Sequence, residues 1–412
     1  MQEATASPFS KPLYVTLKPA GARCNLACEY CYYLEKSSLY PNAPRQAMSE
    51  EMLELFTKEY ISAQTVGDIL FTWHGGEAMM RPLSFYRKAI EFQQKYGKGL
   101  HIENVLQTNG TLMTPEWAKF LRDNHWLVGV SIDGPKEFHD EYRRARNGKP
   151  SWNKAMQAIR LLNDYDVEWN AMAVVNDFNA DYPLEFYHFF RSIGCRFLQF
   201  TPVVERLIGE KGQLASLADG QEAEPAPFSV SPQQWGEFLC AVFDEWVKHD
   251  VGQIFVEIFD CTLANWMGVK PGICSYGRDC GHAAVMEFNG DVYACDHFVF
   301  PHYKLGNIRN NSLIEMLYGE KQKKFATMKR SLPRQCKECE VEFACHGECP
   351  KNRFIADRYG NAGLNYLCEG YHKFYSHVAP YMDYMRGELL AQRPPAGIMA
   401  AMQQGTFVPP RQ

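Results

Sequence analysis

The chain has no apolar run of the roughly 18 residues that a membrane-crossing helix needs. It also has no basic excess. Lys and Arg total 43 against 48 Asp and Glu, a net charge of −5, so nothing in the composition calls for nucleic acid. Its start, Met1-Gln2-Glu3-Ala4-Thr5-Ala6-Ser7-Pro8, has neither a positive segment nor an apolar one, and a cytoplasmic protein without a membrane anchor is expected. What is abundant is cysteine: 14 in 412 residues. In a reducing compartment that number argues against disulfides and for metal. Cys195, Cys240 and Cys261 are scattered among apolar neighbours and read as small buried hydrophobes. The other 11 fall into groups with ligand-like spacing.

The first group, Cys24-x3-Cys28-x2-Cys31, follows a short apolar strand at 13–17 and contains the stretch Cys28-Glu29-Tyr30-Cys31-Tyr32-Tyr33. A [4Fe–4S] cluster takes four thiolates, so three leave one iron open to an outside molecule. Zinc completed by a distant ligand is the alternative that spacing leaves open. The second group is Cys274, Cys280 and Cys295, then Cys336-x2-Cys339-x5-Cys345-x3-Cys349, then Cys368. Eight thiols make two complete sets of four. Spacing alone would group Cys336, Cys339, Cys345 and Cys349, and a zinc ribbon would accept the same run.

Strand patterns at 13–17, 69–73, 102–107, 127–131, 168–175 and 196–200 alternate with helical patterns. These start near Ser49, at 82–96, at Thr114-Pro115, at 151–165 and at 182–193. The alternation predicts a parallel α/β sheet with right-handed crossovers, curved towards a barrel. Polar motifs follow the strands: Gly75-Gly76-Glu77, Thr108-Asn109-Gly110, Ser131-Ile132-Asp133-Gly134, Asn176 and Gln199. Ligand chemistry in such folds gathers at that rim. Residues 208–230 read as an exposed loop, Ser231-Pro232 opens a helix, and after Pro271 the short cysteine-rich segments suggest a metal-held domain. The expected division is 1–207, 208–270, 271–385 and a loosely packed tail at 386–412.

The first cysteine array resembles that of the radical S-adenosylmethionine (radical SAM) enzymes, and the later eight resemble the SPASM extension with two auxiliary [4Fe–4S] clusters. Together with Gly75-Gly76-Glu77, Ser131-Ile132-Asp133-Gly134-Pro135 and the segment Gly290 to His297, the chain resembles the anaerobic sulfatase-maturating enzymes over roughly residues 10–380. The resemblance implies a partial (β/α)6 TIM-like barrel followed by the small SPASM domain. It implies three [4Fe–4S] clusters and S-adenosyl-L-methionine as cofactors. Cys24, Cys28 and Cys31 would hold the catalytic cluster. Cys274, Cys280, Cys295 and Cys349 would hold one auxiliary cluster, and Cys336, Cys339, Cys345 and Cys368 the other. Tyr30, Gly75, Gly76, Glu77, Ser131, Arg143 and the backbone of Val204 would contact the cofactor; Arg143 has a solvated basic face as its alternative, and Val204 an ordinary core position.

The implied reaction oxidises a Cys or Ser in a sulfatase C/S-x-P-x-R segment to Cα-formylglycine, with Asp296 as the base. The nearby polarisable, partly anionic clusters are expected to raise its pKa, which suits a general base. A surface Asp capping a turn, or His297 as the base, is the competing reading. Expected partners are an unfolded or nascent sulfatase polypeptide and a reduced donor such as ferredoxin or flavodoxin. Two rival readings are a peptide maturase forming thioether or carbon–carbon crosslinks, and a non-catalytic zinc-stabilised interaction protein. Many such maturases carry a peptide-binding winged helix before the barrel, and the roughly one dozen residues before the first strand here lean against that reading.

Overall fold

The computed structural model describes residues 12–43, 46–208, 213–214, 224–281 and 283–408. The stretch Met1 to Pro8 and most of the expected 208–230 loop lie outside these. The flanks of that loop pair as a small antiparallel sheet, Arg206–Ile208 between Gln213–Leu214 and Glu224–Pro225.

Six parallel strands form the scaffold: β1 (Tyr14–Lys18), β2 (Asp68–Trp73), β3 (His101–Thr108), β4 (Leu127–Ser131), β5 (Trp169–Val175) and β6 (Phe197–Pro202), neighbours in chain order. Helices α1 (Glu50–Ser62), α2 (Leu83–Tyr96), α3 (Pro115–Asp123), α4 (Lys136–Tyr142), α5 (Trp152–Asp164) and α6 (Pro183–Ser192) return the chain between or after them. Local chemistry sets their ends. Ser49 accepts from the Met52 amide, and Thr114 accepts from the Trp117 amide with Pro115 at the first helical position, so otherwise unpaired amides are satisfied. Behind the sheet, Trp73 stacks on Trp126 with ring centroids 5.9 Å apart, and both are at most 1% exposed. Each such buried aromatic stabilises the fold by about 1.5–3 kcal/mol.

The sheet does not stop at six strands. Phe255–Val256 adds beside β6. Ala283–Glu287, in the cysteine-rich part, adds in parallel beside β1 and carries Asp291–Tyr293 and Lys304–Asn307 with it. Lys18 of β1 is thereby in register with Glu287. A helix foreseen at Ser231-Pro232 runs as α7 (Pro232–His249), capped by Ser231 and Gln234 reciprocally. It is followed by α8 (Glu257–Trp266) and, at the end, by a helix over Cys368–Leu390 that packs on both. The tail is not loose. Helix Gly397–Gln403 buries Ile398 completely, and Phe407 sets its ring 5.4 Å from Tyr381 and 5.1 Å from Tyr384. Enough apolar side chains sit on one side of this segment to dock it. Cys195, Cys240 and Cys261 are buried, as expected.

Candidate active site

The loop after β1 carries Cys24, Cys28 and Cys31 over the rim. Burial raises the Cys28 thiol most, and Cys31 and Cys24 add to it while Arg143 opposes them; the three thiols stand together. The loop is held by backbone: Ala27 N–H donates to Arg144 O at 2.8 Å and Glu77 N–H to Arg23 O at 2.8 Å. Gly76 is needed for this approach, since a Cβ there would lie 2.2 Å from Arg23 O. The glycine pair therefore makes room for the cysteine loop itself. Gly76→Ala is expected to displace the loop and to remove most of the iron bound at the first array, read by iron content after anaerobic reconstitution.

Glu77 is 1% exposed, and its carboxylate accepts from Met79 N, Thr108 Oγ1 and Asn109 N at 2.8–2.9 Å. Its side chain thus braces the rim, while its own N–H holds the cysteine loop through Arg23 O. The Tyr30 hydroxyl donates to Asp133, and the Arg143 guanidinium lies 5.5 Å from the Tyr30 ring. Arg143 Nε is 2.8 Å from Asp133 Oδ2, with both residues buried. Arg143 is therefore fixed in the rim, not part of a solvated face. Ser131 Oγ accepts from Gln107 Nε2 at 2.9 Å. Val204 is buried, and its carbonyl accepts from Lys351 Nζ at 2.8 Å.

Asp296 stands across the rim beside Tyr32. Tyr32 Oη donates to its Oδ2 at 2.8 Å, and Lys18 Nζ meets its Oδ1 at 2.7 Å. Lys18 is fully buried; it also donates to His74 Nδ1 at 3.1 Å and lies 4.2 Å from the Tyr33 ring centroid. The expected upward pKa shift is corrected here. Burial pushes the Asp296 carboxyl up, but the Lys18 ammonium, with His74 and His297, outweighs it and holds the group well below the usual carboxylate range. Burial, then Lys351, lowers His297 to about 4, and burial, then Lys18, lowers His74 to about 4, so both imidazoles are neutral at pH 7. Tyr33 Oη donates to the buried Glu287, whose Oε2 has no hydrogen-bond partner among the described residues.

Tyr32 and Tyr33 belong to the cysteine stretch but had no role evident from sequence, and Lys18, His74 and Glu287 fall in no motif. One usable signal was position: Lys18 closes β1 and His74 follows β2, both on the rim that carries the motifs.

The eight later cysteines separate into two sets in space. Cys336, Cys339, Cys345 and Cys368 line one cavity of about 290 Å³, and Cys349 does not. Burial, then Cys336 and Cys339, raises the Cys368 thiol. Burial, then Cys349 and Cys274, raises that of Cys295. Burial, then Cys274, raises that of Cys280. The grouping by nearest spacing is thus not the grouping in the fold. Four crowded, desolvated thiols around a cavity fit a group that takes them as thiolates, as an iron–sulfur cluster does.

A second cavity, of about 380 Å³, lies between the starts of β5 and β6, Phe255, α8 and residues 272–273. Burial, then Asp260, pushes Glu257 up to about 7, and burial pushes the more open Asp260 up to about 6. Among the described residues neither meets a cation within pairing distance. A carboxyl raised by folding binds its proton more tightly in the folded state, so stability falls as pH rises from its unfolded value through its folded one. Glu257→Gln is expected to stabilise the protein by about 1–2 kcal/mol at pH 8, discounted for partial exposure, with the gain shrinking towards pH 5. Thermal melts at the two pH values check it.

Comparison with known proteins agrees with this geometry. Residues 19–190 match the radical SAM superfamily and residues 274–340 match an iron–sulfur cluster-binding domain, SPASM. A serine-type anaerobic sulfatase-maturating enzyme of Bacteroides thetaiotaomicron is 62% identical over 99% of both chains. A cysteine-type enzyme of Clostridium perfringens is 32% identical over 90% of this chain and 97% of its own. The structure of native anSMEcpe with bound AdoMet and a Cp18Cys peptide superposes with a TM-score of 0.81 at 31% identity, covering 92% of this chain and all of that one.

Proposed function

Because the chain belongs to the anaerobic sulfatase-maturating enzymes of the radical SAM superfamily, we propose that it oxidises a sulfatase Ser or Cys to Cα-formylglycine. Serine in an S-x-P-x-R segment is its expected preference. The observation that carries this reading is Asp296. It follows a cysteine of one four-thiol set directly, and Tyr32, next to Cys31 of the three-thiol array, bonds to it. The 62% identity to a serine-type enzyme supports the serine preference.

Cys24, Cys28 and Cys31 would hold the catalytic cluster, which with S-adenosylmethionine would supply the chemistry for hydrogen-atom removal from the substrate Cβ. Arg143, committed to Asp133 through Nε, would bind the cofactor carboxylate. Gly75, Gly76 and Glu77 contribute backbone, and Tyr30, Ser131 and Val204 border the same place.

Asp296 takes the substrate hydroxyl proton. Lys18 keeps the carboxylate ionised, and the Tyr32 hydroxyl fixes its orientation. A weak base suffices, because the hydroxyl on a carbon radical is much more acidic than that of an alcohol. Loss of one hydrogen atom, one proton and one electron converts –CH2OH into –CHO. Cys274, Cys280, Cys295 and Cys349 would hold the auxiliary cluster next to Asp296, which would supply a one-electron acceptor.

The substrate is an extended segment of an unfolded or nascent sulfatase, met in the cytoplasm, and reduced ferredoxin or flavodoxin supplies electrons. Among the described residues, no helix is long and apolar enough to cross a membrane. We divide the chain into a radical SAM part (1–207), a bridging part (208–270), the SPASM part (271–385) and the C-terminal segment.

The test is an anaerobic incubation of reconstituted protein with dithionite, S-adenosylmethionine and S-x-P-x-R or C-x-P-x-R peptides. A loss of about 2 Da from the Ser peptide, together with 5′-deoxyadenosine, is expected. Deoxyadenosine without any change in either peptide would reject the substrate assignment.

A further inference from the structure

Resting on the two-cluster reading above, we propose that Arg353 is the positioning residue that fixes the two auxiliary clusters relative to one another and sets their ease of reduction. The bridge between the sets is short. Cys345 belongs to one, Cys349 to the other, and His346, Gly347 and Glu348 connect them. All three bridge residues have left-handed backbone, with φ of 48°, 65° and 52°. Two of them are not glycine, so the bridge is costly by itself and needs an external hold.

Arg353 supplies that hold. After the turn Pro350–Asn352 the chain comes back beneath its own bridge. Arg353 Nε donates to Gly347 O at 2.8 Å, and Nη2 donates to His346 O at 2.8 Å and Glu348 O at 3.1 Å. Nη1 donates to Lys329 O at 2.7 Å. One planar guanidinium therefore takes every carbonyl of the bridge, a geometry that its fixed fork suits and a lysine ammonium does not. Gly347 is also required sterically, since a Cβ there would lie 2.7 Å from Arg353 Nη2.

With the carbonyls turned to Arg353, the Gly347 amide opposes the rise that burial imposes on the Cys345 thiol, and the Lys351 amide does the same for Cys349. The charge of Arg353 is felt by Cys336 and Cys345 of one set and by Cys349 of the other. Hydrogen bonds to cluster sulfurs and nearby net charge are two of the means by which a protein sets a cluster potential. Lys329 adds a second buried cation on the Cys274 side, where its Nζ donates to Cys274 O at 2.7 Å.

The experiment compares full-length wild type, Arg353→Gln and Arg353→Lys after anaerobic reconstitution. It measures iron and sulfide content and follows a redox titration by electron paramagnetic resonance. The catalytic cluster's signal is recognised by its change on adding S-adenosylmethionine. Arg353→Gln is expected to make the auxiliary clusters at least tenfold harder to reduce, a downward shift of about 59 mV for one electron. Arg353→Lys, which keeps the charge but loses the fork, is expected to show a smaller shift and an altered magnetic coupling between the clusters. Unchanged potentials and coupling in a variant that holds both clusters would overturn the proposal. So would failure of both variants to take up iron, which would make Arg353 a folding residue. A wild type that holds iron only at the first array would overturn the two-cluster reading instead, before any variant is considered.

Discussion

Asp296→Asn is expected to lower aldehyde formation by about 10²–10⁴-fold while 5′-deoxyadenosine is still released. The substitution preserves shape. The Asn carbonyl can still accept from Lys18, and its amide can donate to the Tyr32 hydroxyl, so the two contacts at 2.7 and 2.8 Å have replacements. What is lost is the proton acceptor. Cofactor cleavage, which the proposed function assigns to the three-thiol array and the glycine pair, should continue without productive turnover. Mass spectrometry of the Ser peptide alongside chromatography of deoxyadenosine separates the two. An undiminished aldehyde yield would remove Asp296 as the base and leave the neutral His297 to be tested next.

The joint replacement of Cys24, Cys28 and Cys31 by Ala has the complementary outcome: deoxyadenosine and aldehyde both fall to background. This loss should be chemical and not a failure to fold, because beyond the Leu26 N and Asn109 Nδ2 contacts to Cys24 Sγ the loop is held by bonds that do not involve its thiols. Ala27 and Glu29 amides bond to Arg144 and Tyr142 carbonyls, Arg146 Nε donates to Cys24 O at 2.7 Å, and Asn25 Nδ2 donates to Thr111 Oγ1 at 2.7 Å. These backbone and side-chain bonds survive the substitutions. A circular-dichroism melt close to that of the metal-free wild type is expected, and deoxyadenosine release from such a variant would reject the cluster assignment.

Much of this was legible along the chain because its signals are local. Strand and helix periods placed all six strands of the scaffold to within two residues at either end. Ser49, Thr114 and Ser231 marked helix starts because capping is decided within a single turn. The cysteines revealed themselves by spacing. What sequence did not reveal is distance-bridging. Tyr32 and Asp296 meet across 264 positions and Lys351 and Val204 across 147, and no period links them. The sign of the Asp296 shift was missed for the same reason: the neighbouring cluster cysteines are read along the sequence, whereas the Lys18 cation arrives from β1, far away in the chain and brought alongside only by strand pairing. The docked tail was misread because its prolines and glycine were more conspicuous than the spacing of Ile398, Met402 and Phe407.

The strand Ala283–Glu287 lies against β1 through five successive residue pairs. A shortened chain ending before it would leave the hydrogen-bonding side of β1 bare, an adhesive border that invites self-association. The two halves of this enzyme are thus poor candidates for separate expression or for exchange between relatives at that joint. A graft that respects the protein should carry β1, its neighbouring strand and Asp296 as a single unit.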